Sequence, residues 1–257
     1  MEPEPILSII IVNYNSGQMT LMCLDSIQKH AAHISHEVII ADNASKDGSP
    51  ELITRKHPEV LFLPLKDNLG FGVANNRAAA FARGKYLLLL NNDALLLENS
   101  LDPLLATVQN DSSIGVVGPE IHYPDGRFQL SCGPDLSLFG ELLMKHFSRW
   151  YSRMIQKGPA LQQVDWISGA AMLIPAVVYR QVNGFDETFF PYMEDADLCR
   201  RIRTLGFSIL LNRRSIVQHH QGESTSAVKT QLLPAIKRGH LHYYTRYNSR
   251  FSKKVLK

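Results

Sequence analysis

Four short stretches of this sequence carry side chains that could do chemistry. In Tyr192-Met193-Glu194-Asp195-Ala196-Asp197, three carboxylates fall within four positions. Gathered in one buried site, they would repel one another and lift at least one carboxyl toward neutral pH, where it could serve as a general base. Acidic residues also suit the first turn of a helix, and Asp195 satisfies both readings. Asn91-Asn92-Asp93 follows the leucine run Leu87–Leu90. A carboxylate and two amides at a strand end offer hard oxygens to a divalent cation that also carries phosphate. Taken alone, such a triplet more often ends a strand and caps the next helix. In Gln218-His219-His220, adjacent histidines on a strand point to opposite faces, so at most one enters a given site. There a neutral imidazole could complete a metal shell, although an isolated pair more often sits at the surface. Gly70-Phe71-Gly72-Val73-Ala74-Asn75 imitates a dinucleotide-binding glycine loop, but Asn75 stands at the third glycine.

These stretches need elements to position them. Ile6–Val12, Glu37–Ala41, Val60–Pro64 and Tyr86–Leu90 read as strands. Thr20–His30, Pro50–Lys56 and residues 73–83 read as the helices between them. Such alternation predicts βαβ units and an α/β fold with a mostly parallel sheet. Ligands bind such sheets beyond the carboxyl ends of the strands. Asn13–Ser16, Asp42–Ser49 and Asn91–Asp93 all follow strands and would line one rim. Further on, the pattern predicts a helix over Ser100–Gln109 and a strand over Ile114–Pro119. Residues 122–163 read as a variable insertion with one helix near Phe139–Tyr151. A strand over Trp166–Ile174, helices over Pro175–Val182 and Glu194–Leu205, and short strands over Ser208–Leu211 and Ser215–Gln218 complete the body.

The chain has 257 residues, enough for one domain with a sizeable core and a short appendage. Its three cysteines, Cys23, Cys132 and Cys199, form no C-x-x-C pair and fit free thiols in a reducing compartment. No window approaches the roughly 20 apolar residues of a membrane span, and the start lacks the pattern of a secretory signal. A cytoplasmic protein, soluble or peripheral to the inner face of the cell membrane, is expected. The net charge of +3 makes no case for a nucleic-acid partner. That total is uneven, at +9 from Arg213 onward and −6 before it. Residues 230–257 interleave those charges with Leu232, Leu233, Ile236, Leu241, Tyr243, Tyr244, Tyr247 and Phe251. Such a tail either packs one face on the domain or touches an anionic membrane surface.

The motifs resemble those of a known family when taken together and in order. Ser8-Ile9-Ile10-Ile11-Val12-Asn13-Tyr14-Asn15, Asp42-Asn43-Ala44-Ser45, Asn68-Leu69-Gly70-Phe71 and Leu90-Asn91-Asn92-Asp93 form the first half of the set. Trp166-Ile167-Ser168-Gly169-Ala170-Ala171-Met172, Gly184-Phe185-Asp186-Glu187, Glu194-Asp195-Ala196-Asp197-Leu198 and His219 with Gly222 and Ser224 form the second. The set is similar to the inverting family-two glycosyltransferases of the GT-A fold, in particular their rhamnosyltransferase-like branch. The resemblance implies a Rossmann-like, mostly parallel sheet flanked by helices, a small acceptor-side subregion and a C-terminal helical tail. It divides the chain into a GT-A domain over 1–229 and a basic amphipathic tail over 230–257. Within the domain, 1–120 would bind nucleotide and 121–229 would serve the acceptor and catalysis.

The resemblance also implies roles. Asp42 resembles the acid that holds the pyrimidine base, flanked by Asn13 and Tyr14. Asn68 and Gly70 resemble the loop beside the nucleotide, and Asn91, Asn92, Trp166 and Gly169 belong with the nucleotide-sugar site. Asp93 looks like the last member of a metal-binding D-x-D motif, with His219 joining the shell around Mg²⁺ or Mn²⁺. Asp195 looks like the general base, with Glu194 and Asp197 orienting it or meeting the acceptor. The implied donor is a nucleotide-diphosphate sugar, dTDP- or UDP-linked and with rhamnose the leading choice. The implied acceptor is a growing cell-surface glycan or a lipid-linked one. Val73, Ala74 and Ala78 stand where relatives often carry glycine, a departure that bears on loop geometry. Two other classes compete: a non-catalytic sugar-nucleotide or glycan-binding module of the same fold, and an NAD-dependent oxidoreductase. A nucleotidyltransferase is disfavoured, because Asn13–Gly17 contains no Lys or Arg.

Overall fold

A computed structural model describes residues 4–189, 193–220 and 229–248. The first half runs β1 (Leu7–Asn13), α1 (Gly17–His30), β2 (His36–Asp42), α2 (Ser49–Lys56), β3 (Leu61–Pro64), α3 (Gly70–Ala79) and β4 (Tyr86–Asn91). The chain continues through β5 (Ala94–Leu96), α4 (Asp102–Asn110), β6 (Ile114–His122), β7 (Phe128–Gln129), β8 (Cys132–Gly133) and α5 (Leu138–Lys157). It ends with β9 (Leu161–Gln163), β10 (Trp166–Ile167), β11 (Ala171–Pro175), α6 (Ala176–Gln181), α7 (Glu194–Thr204), β12 (Ser208–His219) and α8 (Lys229–Tyr247).

The main sheet has the order β3-β2-β1-β4-β11-β6-β12-β5, with β7 on β6 and β9 on β12. Strands β3, β2, β1 and β4 are mutually parallel, as βαβ connections require. β11 runs antiparallel between β4 and β6. In β1, Ile9 and Ile11 face a cluster that includes Cys23, Leu24 and Ile27 of α1. Ile10 faces the opposite cluster, with Ala74 and Ala78 of α3. The β-branched run is therefore buried on both faces, and each such side chain contributes about 1.5–3 kcal/mol of transfer free energy. Register sets the rim: Asn13 lies opposite Asp42, and Val12 opposite Asn91. Three polar strand ends thus arrive at one level.

The structure revises several expectations. The strand expected over Trp166–Ile174 is broken at residues 168–170 into β10 and β11, which belong to different sheets. A β-carbon at Gly169 would lie 2.8 Å from the Phe71 ring, so any larger residue at the break would have to displace that ring. The two short strands expected over 208–218 are one 12-residue strand with an irregularity between Asn212 and Ile216. The insertion helix is longer than expected, spanning Leu138–Lys157 with a kink at Phe147. Helix α8 lays Tyr243 against Leu136, Phe189 and Ala196, so this part of the tail packs on the body. No helix among the described residues is long and apolar enough to cross a membrane.

Candidate active site

One side of the rim is a closed hydrogen-bond network. Asn13, at 0% exposure, donates from Nδ2 to Asp42 Oδ2 at 2.7 Å and accepts at Oδ1 from Thr20 Oγ1 at 2.7 Å. Asp42 also accepts from the Ser45 backbone N–H at 2.9 Å and from Ser45 Oγ at 2.7 Å. Asn92 donates to Thr20 Oγ1 at 3.2 Å, tying the β4 end into the same network. Asn43 bridges to the next loop, donating to Gly70 O and accepting from the Leu69 N–H, both at 3.3 Å. Asn68 caps that turn, its Oδ1 accepting from the Gly70 N–H at 3.0 Å. Gly70 has φ +80°, a left-handed conformation that glycine adopts without steric cost. Tyr14 and Asn68 are exposed at the mouth, while Asp42 is buried beneath them.

The middle of the rim brings Asp93 and His219 together. β12 runs antiparallel beside β5, placing His219 opposite Ala94. His219 Nε2 is 3.0 Å from Asp93 Oδ1, and both residues are buried. His219 Nδ1 lies 3.1 Å from Gln129 Oε1. Nε2, beside the Asp93 carboxylate, also has Asn91 Nδ2 at 3.3 Å. An imidazole nitrogen and a carboxylate oxygen are a donor pair that suits Mn²⁺ or Mg²⁺ completed by further oxygen ligands. Among the described residues, no three His, Cys, Asp or Glu side chains converge on one point. His220 turns away, its backbone N–H donating to Asp93 O at 2.9 Å and its ring meeting Gln218.

The far side is a cavity of about 280 Å³, lined in part by Asp195, His219, Trp166, Ser168, Met193 and Leu136. Asp195 opens α7. Its Oδ1 accepts from its neighbour Ala196 N–H at 2.8 Å and its Oδ2 from the Gly169 N–H at 3.2 Å. Burial raises the Asp195 carboxyl above the ordinary carboxylate range, against the pull of those two N–H groups. Met193, just before the helix, has φ 77°, a strained conformation for a residue with a side chain. The Trp166 indole N–H donates to Pro134 O at 3.0 Å.

The three clustered carboxylates do not share one site, contrary to the simplest reading of their spacing. Asp197, at 0% exposure, turns inward to Arg201 Nε and Tyr247 OH, each at 2.6 Å. Arg201 also donates to Val182 O and Gly184 O, so Asp197 anchors α7 and α8 rather than reaching an acceptor. Glu194 is buried and backs onto Gly72 of α3, where an added β-carbon would come within 3.8 Å of its own. Of the three, only Asp195 lines the cavity. Thr20, Asn43, Ser45 and Gln129 carry much of the site's organisation but were not expected to do so. Ser45 and Asn43 lay inside a noted motif, whereas nothing around Gln129 marked it.

Comparison with known proteins identifies the family and the fold. Residues 8–165 match the model of glycosyl transferase family 2, and the chain belongs to that family. It is 30% identical over 239 residues to the N-acetylglucosaminyl-diphospho-decaprenol L-rhamnosyltransferase of Mycobacterium tuberculosis, covering 86% of this chain and 78% of that protein. Among solved structures it resembles GalNAc-T7 with UDP, GalNAc and Mn²⁺, with TM-score 0.66 and 19% identity. That match takes in 85% of this chain and 44% of the other, so the chain spans less than half of GalNAc-T7 as crystallised. The mannosyltransferase PcManGT from Pyrobaculum calidifontis, in complex with GDP-Man and Mn²⁺, matches with TM-score 0.62 and 16% identity over 99% of this chain and 79% of its own. At such identities the likeness is one of fold, and that fold is GT-A.

Proposed function

We propose that the chain moves a sugar from a nucleotide-diphosphate donor to an acceptor hydroxyl with inversion, using Asp195 as general base. The observation that carries this reading is one cavity lined both by a carboxyl raised by burial and by the His219 ring, which is paired with Asp93. The acceptor O–H gives its proton to Asp195 as its oxygen bonds to the anomeric carbon. The bond from that carbon to the diphosphate oxygen breaks on the opposite face, and the electron pair leaves with the diphosphate. Asp93 and His219 are the residues that would hold Mg²⁺ or Mn²⁺, with phosphate and water oxygens filling the remaining positions. Such a cation supplies neutralisation of the charge that develops on the leaving diphosphate. The Gly169 and Ala196 N–H groups fix the orientation of the Asp195 carboxylate and leave lone pairs free for the incoming hydroxyl.

On the nucleotide side, Asn13, Tyr14, Asp42, Asn68, Gly70, Asn91 and Asn92 would surround the base, ribose and phosphates. Asp42 already accepts three hydrogen bonds from its own loops, so its first contribution is to hold this wall in shape. The name of the mycobacterial relative supports L-rhamnose as the sugar and a polyprenyl-diphosphate-linked sugar as the acceptor; the dTDP- or UDP-linked donor rests on the family resemblance alone. A panel of nucleotide sugars assayed for hydrolysis and transfer, with Mn²⁺, Mg²⁺ or EDTA, tests the reading. Turnover of one diphosphate sugar that EDTA abolishes is expected. Silence across the whole panel with both metals contradicts it.

A further inference from the structure

The insertion between β8 and β9 presents a surface that sugar transfer does not use. Helix α5 spends one side on the core, with Tyr151 at 7% and Ile155 at 2% exposure. Its outer side is nevertheless apolar: Phe139 is 76% exposed, Phe147 57%, Trp150 58%, and Leu142 and Met154 are exposed as well. Large apolar side chains scattered singly over a surface need no explanation, but five along one helix do. Beside this stripe run Lys145, Arg149, Arg153 and Lys157, one every fourth residue and all exposed. None of the four is in an ion pair among the described residues, and Glu141 is the single acid of the helix.

A basic row flanking an exposed Trp, Phe and Met face matches a helix lying in the boundary between lipid headgroups and acyl chains. The C-terminal helix differs. Tyr243 and Tyr244 of α8 are buried, and Arg246 pairs with Asp186. Leu241 is the one exposed large apolar side chain in 237–248. We propose that α5 docks the protein on an anionic phospholipid bilayer, the lysines and arginines meeting headgroup phosphates while Phe139, Phe147, Trp150 and Met154 enter the acyl boundary. The consequence for the site is positional. Ser137 caps α5, its Oγ accepting from the Gly140 N–H, and Leu136 immediately before it lines the Asp195 cavity. Docking through α5 would therefore set the cavity beside the lipid surface.

The experiment is co-sedimentation of the full chain with vesicles of phosphatidylglycerol and phosphatidylcholine, and with phosphatidylcholine alone. Binding is expected only to the anionic vesicles, with a blue shift in tryptophan emission that Trp150→Phe removes. Arg149→Gln with Arg153→Gln should weaken binding about 30-fold, from about 1 kcal/mol per basic residue at the surface. Phe139→Ser with Trp150→Ser should abolish it, and Leu241→Ser in α8 should leave it unchanged. All variants should keep a melting temperature close to the wild type, since these side chains are mostly exposed. Undiminished binding of both double variants, or equal binding to neutral vesicles, overturns the proposal. So does a concentration-dependent dimer that the same substitutions dissolve, because the face would then belong to a second copy. Transfer activity does not enter this readout, so its outcome is independent of the reaction assigned above.

Discussion

The two sides of the rim treat a carboxylate in opposite ways. Asp42 is buried and meets three donors, from Asn13 and Ser45. Asp195 meets two backbone N–H groups, one from its neighbour Ala196, and burial still raises its carboxyl. At Asp195 burial outweighs the hydrogen bonds to the carboxylate and favours the proton. The first arrangement makes a rigid wall, and the second makes a group that gains from taking a proton. The difference separates a residue that shapes the site from one that can act in it.

Substitutions can break this comparison. The largest effect is expected at Asp195. Asp195→Asn should lower transfer by roughly 10²–10⁴-fold, the usual contribution of a positioned base. The wild-type rate should fall as pH drops through the raised carboxyl value, above the roughly 3.9 of an ordinary aspartate. A raised folded value stabilises the fold at low pH and loses that contribution as pH rises. At neutral pH, Asp195→Asn should therefore melt no lower than wild type. Next comes Gln129→Ala, which frees the His219 ring. It should cost roughly 10–100-fold in apparent Mn²⁺ affinity measured by metal-dependent turnover. Smallest in rate but clearest in stability is Asp42→Ala. It leaves the Ser45 N–H without its acceptor and Asn13 Nδ2 with Ser45 Oγ as the remaining one, at about 1–3 kcal/mol in all, read from urea unfolding. If Asp42→Ala kept full stability and lost only donor binding, the wall would be a ligand contact first.

How much of this was legible in the sequence depended on the range of the interactions. Ile6–Val12 and Tyr86–Leu90 are uniform runs whose burial on both faces follows from composition, so the parallel sheet and its polar rim could be read directly. The break at Gly169 was hidden because Trp166, Ile167, Ala170 and Ala171 look like one continuous strand. The division of labour among Glu194, Asp195 and Asp197 depends in part on Gly72 and the distant Tyr247, which no local pattern reveals, although Arg201 stands four residues after Asp197 on the same helix. Asp93 and His219 meet only through the pairing of β12 with β5, and family resemblance rather than spacing put them together. Gln129 sits in a two-residue strand, too short for any periodicity to register.

Titration of a nucleotide-diphosphate sugar into Asp195→Asn beside wild type, by calorimetry with Mn²⁺ present, tests the central claim most directly. The account predicts donor affinities within about 3-fold of each other, a difference under 1 kcal/mol, in the same preparations whose transfer rates differ by orders of magnitude. A parallel collapse of donor binding would place Asp195 in the nucleotide wall and contradict its assignment as the base.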